Sequence, residues 1–176
     1  MKNLKYFIQY ILIILLFSLF KIIGHKYSLI ISSKIFFLIG PLFRSNKLVY
    51  SNLGNAFKNL SESEKNKIAK VMWGNYGKIL AEYVFLEKFR NSFLKQNIMI
   101  DGQEILENIK NNNRPVIFIS GHFNNFELMA MHIEKSGIDL AALYRPLNNK
   151  YLNPIMENIR KNYICEKQVE KSISGT

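Results

Sequence analysis

From Tyr6 to Phe20 the chain carries no charged side chain, and only Gln9 and Ser18 are uncharged polar residues. If Lys21 snorkels, the run extends to Gly24, nineteen residues from Tyr6. A membrane-spanning helix needs about 20 residues. A secretory signal would show a small-residue cleavage site after a shorter core, and none is clear here. A buried core helix is the other alternative. Residues 1–24 are therefore expected to form a membrane anchor helix, spanning or deeply inserted. Five basic residues lie between Lys21 and Lys47, against Lys2 and Lys5 in front. If the helix spans, that bias places the rest of the chain in the cytoplasm.

The charge distribution points the same way. No acidic residue precedes Glu62, so residues 1–61 carry eight basic side chains and no acids. Cationic and apolar together describe a surface that meets anionic lipid. Only five of the 24 basic residues are Arg, and Ile, Lys and Asn supply 63 of 176 residues, a compositional bias that discounts the net charge of +11. Nucleic-acid binding would call for an Arg-bearing polar face and aromatic stacking, so no nucleic-acid partner is expected. A second apolar stretch, Ser28 to Phe43, is interrupted by Lys34 and ended by Gly40-Pro41. It reads as a membrane-surface helix, with Lys26, Lys34, Arg44 and Lys47 near headgroups, or as an amphipathic core helix. Residues 25–60 form that second segment.

Residues 61–176 read as a partial α/β domain. Ser61 and Glu64 form a capping box that opens a helix running to about Lys88. Ile98–Ile100, Pro115–Ser120 and Leu140–Tyr144 are predicted strands. Helices are expected over Glu104–Lys110, Asn125–Lys135 and about Asn149–Asn162, with a loop at Asn111–Asn113. Strand-helix alternation predicts a mostly parallel sheet flanked by helices. One cysteine, Cys165, excludes a disulfide framework and a cysteine metal cluster. His25 and His132 read as structural, and Cys165 as a buried or inert thiol.

The chemical candidate is Gly121-His122-Phe123-Asn124-Asn125-Phe126-Glu127, placed where a strand hands over to a helix. Ligands of open α/β sheets bind at that edge. With His122 in the turn and Glu127 just inside the helix, the carboxylate can orient the imidazole, making it a general base toward a hydroxyl. Gly121 permits the turn. The helix amino end, with Asn124 and Asn125, offers backbone N–H groups to an oxyanion. The same spacing, Asn124 to Glu127, also fits a capping box, so spacing alone leaves both readings open. Tyr144-Arg145-Pro146-Leu147 marks the next strand tip. Arg145 suits a phosphate or an oxyanion, or pairs with a helix carboxylate.

These pieces, in order, resemble the lipid A biosynthesis acyltransferases, the late lauroyl or myristoyl transferases, within the lysophospholipid-acyltransferase-like superfamily marked by His-x4-Asp/Glu. The resemblance covers about residues 1–163. It is carried by the hydrophobic anchor, Asn52-Leu53-Gly54-Asn55-Ala56-Phe57, the Ser-x-x-Glu helix ending near Ala81-Glu82-Tyr83, the His122 motif, and Tyr144-Arg145-Pro146-Leu147 with Asn148, Asn149 and Leu152. Asn124 stands where the family usually has Gly, and Phe126 where it has Trp.

The resemblance implies acyl transfer from an acyl carrier protein thioester to a hydroxyl of a lipid A precursor, at the cytoplasmic face of a bacterial inner membrane. His122 would deprotonate the hydroxyl, Glu127 would hold His122, and Arg145 would stabilise the oxyanion or hold a substrate phosphate. No metal and no cofactor is implied. Family members are much longer, so the chain matches only their N-terminal portion, which suggests a truncated or split product. Lys171–Thr176 still looks like family sequence. The alternatives are a non-catalytic membrane-bound remnant and an acyltransferase acting on another lipid acceptor.

Overall fold

The computed structural model describes residues 2–43, 46–112 and 114–171. Arg44, Asn113 and the tail beyond Lys171 lie outside the described residues. The chain divides into two compact units, one of residues 18–84 and one of residues 1–17 with 85–176.

Helix α1 covers Lys2–Phe43 and joins the two expected apolar segments, with a break at Gly24. Gly24 has φ 79° and ψ 169°, which a side chain would strain. The break frees carbonyls that a regular helix would use. Ser28, buried, donates its hydroxyl hydrogen to the carbonyls of Gly24 (2.7 Å) and Phe20 (3.1 Å). Only 11% of the most apolar stretch of α1 is buried by protein. It is the one helix among the described residues long and apolar enough to cross a membrane.

In the unit of residues 18–84, α2 (Asn46–Ala56) and α3 (Glu62–Tyr83) accompany the second half of α1. The capping box that opens α3 is present. The Ser61 backbone N–H donates to Glu64 Oε2 at 2.8 Å, and the Glu64 N–H donates to Ser61 Oγ at 3.3 Å. The helix stops at Tyr83, short of the expected Lys88, and α4 (Leu86–Asn91) follows. Close approach of α1 to α3 depends on small residues. A Cβ at Gly77 would collide with the Ser32 backbone, and one at Gly40 with the Trp73 ring. Ser32 donates to the Gly77 carbonyl at 2.6 Å.

In the second unit a short 3-10 turn (Phe93–Asn97) leads to α5 (Gln103–Asn112), α6 (Glu127–Lys135), β1 (Ala141–Tyr144), α7 (Asn153–Tyr163) and β2 (Lys167–Glu170). Phe85, Leu86, Phe89, Leu94, Met131, Ile133 and Ile164 form the core. An Arg90–Glu134 ion pair at 2.6 Å ties α4 to α6. Strands β1 and β2 pair in parallel, Ala141 opposite Lys167 and Tyr144 opposite Glu170.

The parallel pairing is present, but the sheet is smaller than expected. Ile98–Ile100 and Pro115–Ser120 are not strands, Asn111 and Asn112 belong to α5, and β2 was not foreseen. The molecule is accordingly mostly helical, with a two-stranded parallel sheet among the described residues. The reason is that a strand exists only with a hydrogen-bonding neighbour. Beside Pro115–Ser120 stands a cleft of about 830 Å³, lined by Val116, Phe118, Met129, Ile133, Leu140 and Ala142. The apolar run borders that cleft across from β1 instead of pairing with it, and Ile117 and Ile119 are 87% and 91% exposed.

Candidate active site

The turn after Ser120 is built by local backbone bonds. The N–H of Phe123 reaches the Gly121 carbonyl at 2.9 Å, and that of Phe126 reaches the Asn124 carbonyl at 3.1 Å. Asn124 takes a positive φ of 47°. Asn tolerates this left-handed conformation better than other side-chain-bearing residues, which accounts for its presence where the turn needs it. Helix α6 begins at Glu127, and its cap residue Phe126 makes no side-chain capping bond. The capping-box alternative for Asn124 and Glu127 is therefore not realised.

His122 is exposed at this turn, its ring edge-on to Phe126 with centroids 4.4 Å apart. Among the described residues it makes no hydrogen bond to Glu127. Glu127 is 5% exposed, and its Oε1 accepts from Arg160 Nε at 2.9 Å and lies 2.7 Å from Arg160 Nη2. Two contacts from one planar guanidinium fix the carboxylate's position. Asn125, half-buried, accepts the Leu128 N–H on its backbone carbonyl at 3.2 Å.

Arg145 follows β1 and is exposed, with no hydrogen bond or ion pair among the described residues. No ladder joins Pro115–Ser120 to β1, so the shared sheet edge expected to gather Arg145 and His122 is absent among the described residues. What shapes the Arg145 turn is a polar network on α7. Tyr144 Oη donates to Glu157 Oε1 at 2.5 Å, Asn153 Nδ2 donates to the same oxygen at 2.7 Å, and Asn153 Oδ1 accepts the Leu147 N–H at 2.7 Å. The bond to Glu157, with burial and nearby carboxylates, pushes the Tyr144 phenol up to about 12. The same bond holds the Glu157 carboxyl below its usual range.

Arg160 was not anticipated. The only signal was scarcity, since the chain uses Lys for 19 of 24 basic residues, and scarcity alone did not separate Arg160 from the exposed Arg145. Cys165 is buried, donates to the Leu140 carbonyl at 2.8 Å, and burial pushes its thiol up, which makes it a poor nucleophile. His132 lies inside α6, its imidazole held below its ordinary value by burial and by Lys135 and Lys95. Among the described residues no three His, Cys, Asp or Glu side chains gather to hold a metal ion.

A family model described as bacterial lipid A biosynthesis acyltransferase matches residues 1–167. The chain belongs to that family. A curated relative, Lipid A biosynthesis acyltransferase 2 of Shigella flexneri, is 25% identical over 112 residues, 64% of this chain and 36% of the relative's own length. The chain thus aligns with about a third of that relative. No solved structure matches. In this acyltransferase-family chain the His-x4-Glu turn, the Glu127–Arg160 pair and the Tyr144–Glu157 network all lie within the unit of residues 1–17 and 85–176.

Proposed function

We propose that this chain is a membrane-bound O-acyltransferase that moves a fatty acyl group from an acyl carrier protein thioester to a hydroxyl of a lipid A precursor. His122 takes the proton of the acceptor hydroxyl, and the resulting oxygen attacks the thioester carbonyl. The carrier thiol leaves, and the proton held by His122 neutralises it. Glu127, which here bonds Arg160 and not His122, is assigned the role of orienting the imidazole, and that role requires it to give up Arg160 for His122 when substrate binds. Arg145 stabilises the oxyanion or holds a substrate phosphate. The reaction runs at the cytoplasmic face of the inner membrane.

The observation that carries this reading is an accessible imidazole in a His-x4-Glu turn at the start of α6. Family membership supplies the reaction class. Basic, apolar residues 1–61 suit both a phosphorylated glycolipid and an acidic carrier protein. The test is acyl transfer by the 176-residue chain in membranes, with a lipid A precursor, a lysophospholipid and another glycolipid offered in competition. Turnover on the lipid A precursor that vanishes in His122→Ala supports the reading. Turnover unaffected by His122→Ala, or its absence in the parent chain, sinks it.

A further inference from the structure

The first part of α1 has two distinct sides. At about 100° per residue, Leu4, Ile8, Ile11, Leu12 and Leu15 fall within an arc of about 100°, the width of one apolar helix face. All five are exposed. The opposite side carries Tyr6, Gln9, Tyr10 and Ile13, half-buried, and Phe17, buried. Residues 1–17 cluster with residues 85–176 in one unit.

The attachment is specific. Asn149 is 7% exposed. Its Nδ2 donates to the Tyr6 carbonyl at 2.9 Å and to Gln9 Oε1 at 3.3 Å. Its Oδ1 accepts the N–H groups of Tyr151 at 3.0 Å and Leu152 at 3.3 Å. Tyr151 meets Phe7 edge-on at 5.6 Å and lies 6.1 Å from Tyr10. The loop that follows Arg145 is therefore stapled to the first turns of α1.

A helix covered by protein along one side cannot cross a bilayer without taking its cover along. That cover belongs to a segment bearing Arg145, Lys150, Glu157, Arg160 and Lys161, side chains that hydrocarbon excludes. The exposed stripe is purely aliphatic. Its flanking charges, Lys2, Lys5 and Lys150, are all basic and exposed, with Lys2 over the Tyr6 ring and Lys150 over the Tyr151 ring. We infer that residues 2–17 of α1 lie parallel to the membrane, stripe down, in an anionic phospholipid leaflet, and that the Asn149 staple holds the Arg145 loop at headgroup depth. This orientation rests on the membrane placement in the proposed function and not on its chemistry.

The test uses the full chain on vesicles of phosphatidylglycerol and phosphatidylethanolamine. Tryptophan replaces Leu4, Ile8, Leu12 or Leu15 singly, the Trp73 signal of the parent is subtracted, and lipids brominated at graded depths quench the rest. The inference expects four shallow depths that agree within about 3 Å, since a helix in the plane has no depth gradient. A depth rising by about 1.5 Å per residue, about 16 Å from Leu4 to Leu15, overturns it. Ile8→Lys with Leu12→Lys should weaken vesicle binding at least tenfold, from the apolar burial lost. Lys2→Gln and Lys5→Gln should each cost about fivefold on anionic vesicles and nothing on neutral ones. Binding unchanged by the paired lysines also overturns the inference. Acyl transfer measured on the same vesicles separates the two readings. Activity with a steep depth gradient removes the orientation alone, and uniform depth without activity removes the enzymatic reading alone.

Discussion

His122 is exposed, its ring edge-on to Phe126, and it makes no hydrogen bond among the described residues, so its removal should touch chemistry and not stability. His122→Ala should lower acyl transfer by about 10²–10⁴-fold while the urea midpoint stays put, since exposed substitutions usually fall within about 0.5 kcal/mol. Arg160 behaves in the opposite way. Arg160→Ala leaves the Glu127 carboxylate buried without its fork and should cost about 3 kcal/mol in urea unfolding. Arg160→Met with Glu127→Leu should recover most of that stability while activity stays lost. The Tyr144–Glu157 bond has a pH signature. The lowered Glu157 contributes stability above the unfolded carboxyl value, about 4.3, and loses it as pH falls through its folded value. The raised Tyr144 contributes below the unfolded phenol value, about 10, and loses it as pH rises through about 12. Urea midpoints of Tyr144→Phe followed across pH should show both limbs flattened.

At the level of elements, the two glycine devices of the unit of residues 18–84 fail differently. Nothing lies within 4 Å of a Cβ built on Gly24, so Gly24→Ala meets only the cost of its positive φ with extended ψ, about 1–3 kcal/mol. Gly77→Ala meets the Ser32 backbone, and the helices must separate, at about 1–3 kcal/mol. Denaturant titrations of the two variants should show losses of these sizes, and Ser32→Ala should further weaken the Gly77 contact. The serine and glycine pattern was readable in the sequence only as small residues in two helices. Which of them touch depends on how α1 and α3 lie together, and no local propensity encodes that.

At the level of the whole molecule, the Pro115–Ser120 run and the cleft beside it leave aliphatic side chains open to water. Exposed apolar segments of high β-propensity recruit other chains. Ile117→Lys with Ile119→Lys should reduce light scattering of the detergent-solubilised chain after dilution, with little change in helix content by circular dichroism. The sequence alone determined the features that reside in a few adjacent residues: the apolar helix, the Ser61–Glu64 cap, the turn around His122, the strand ending at Tyr144. Each depends on local spacing, turn chemistry or hydrophobic run length, all of which act within a few residues. Family resemblance was legible because those local motifs occur in a fixed order. Only the tertiary structure decided that Glu127 is held by Arg160, thirty-three positions away, and that Asn149 binds the first turns of α1. It also decided that the apolar run borders a cleft instead of joining β1. Pairing of this kind is settled by which surfaces meet, because a carboxylate or a strand edge accepts any partner of suitable shape and charge, and the chain's path alone brings one of them near.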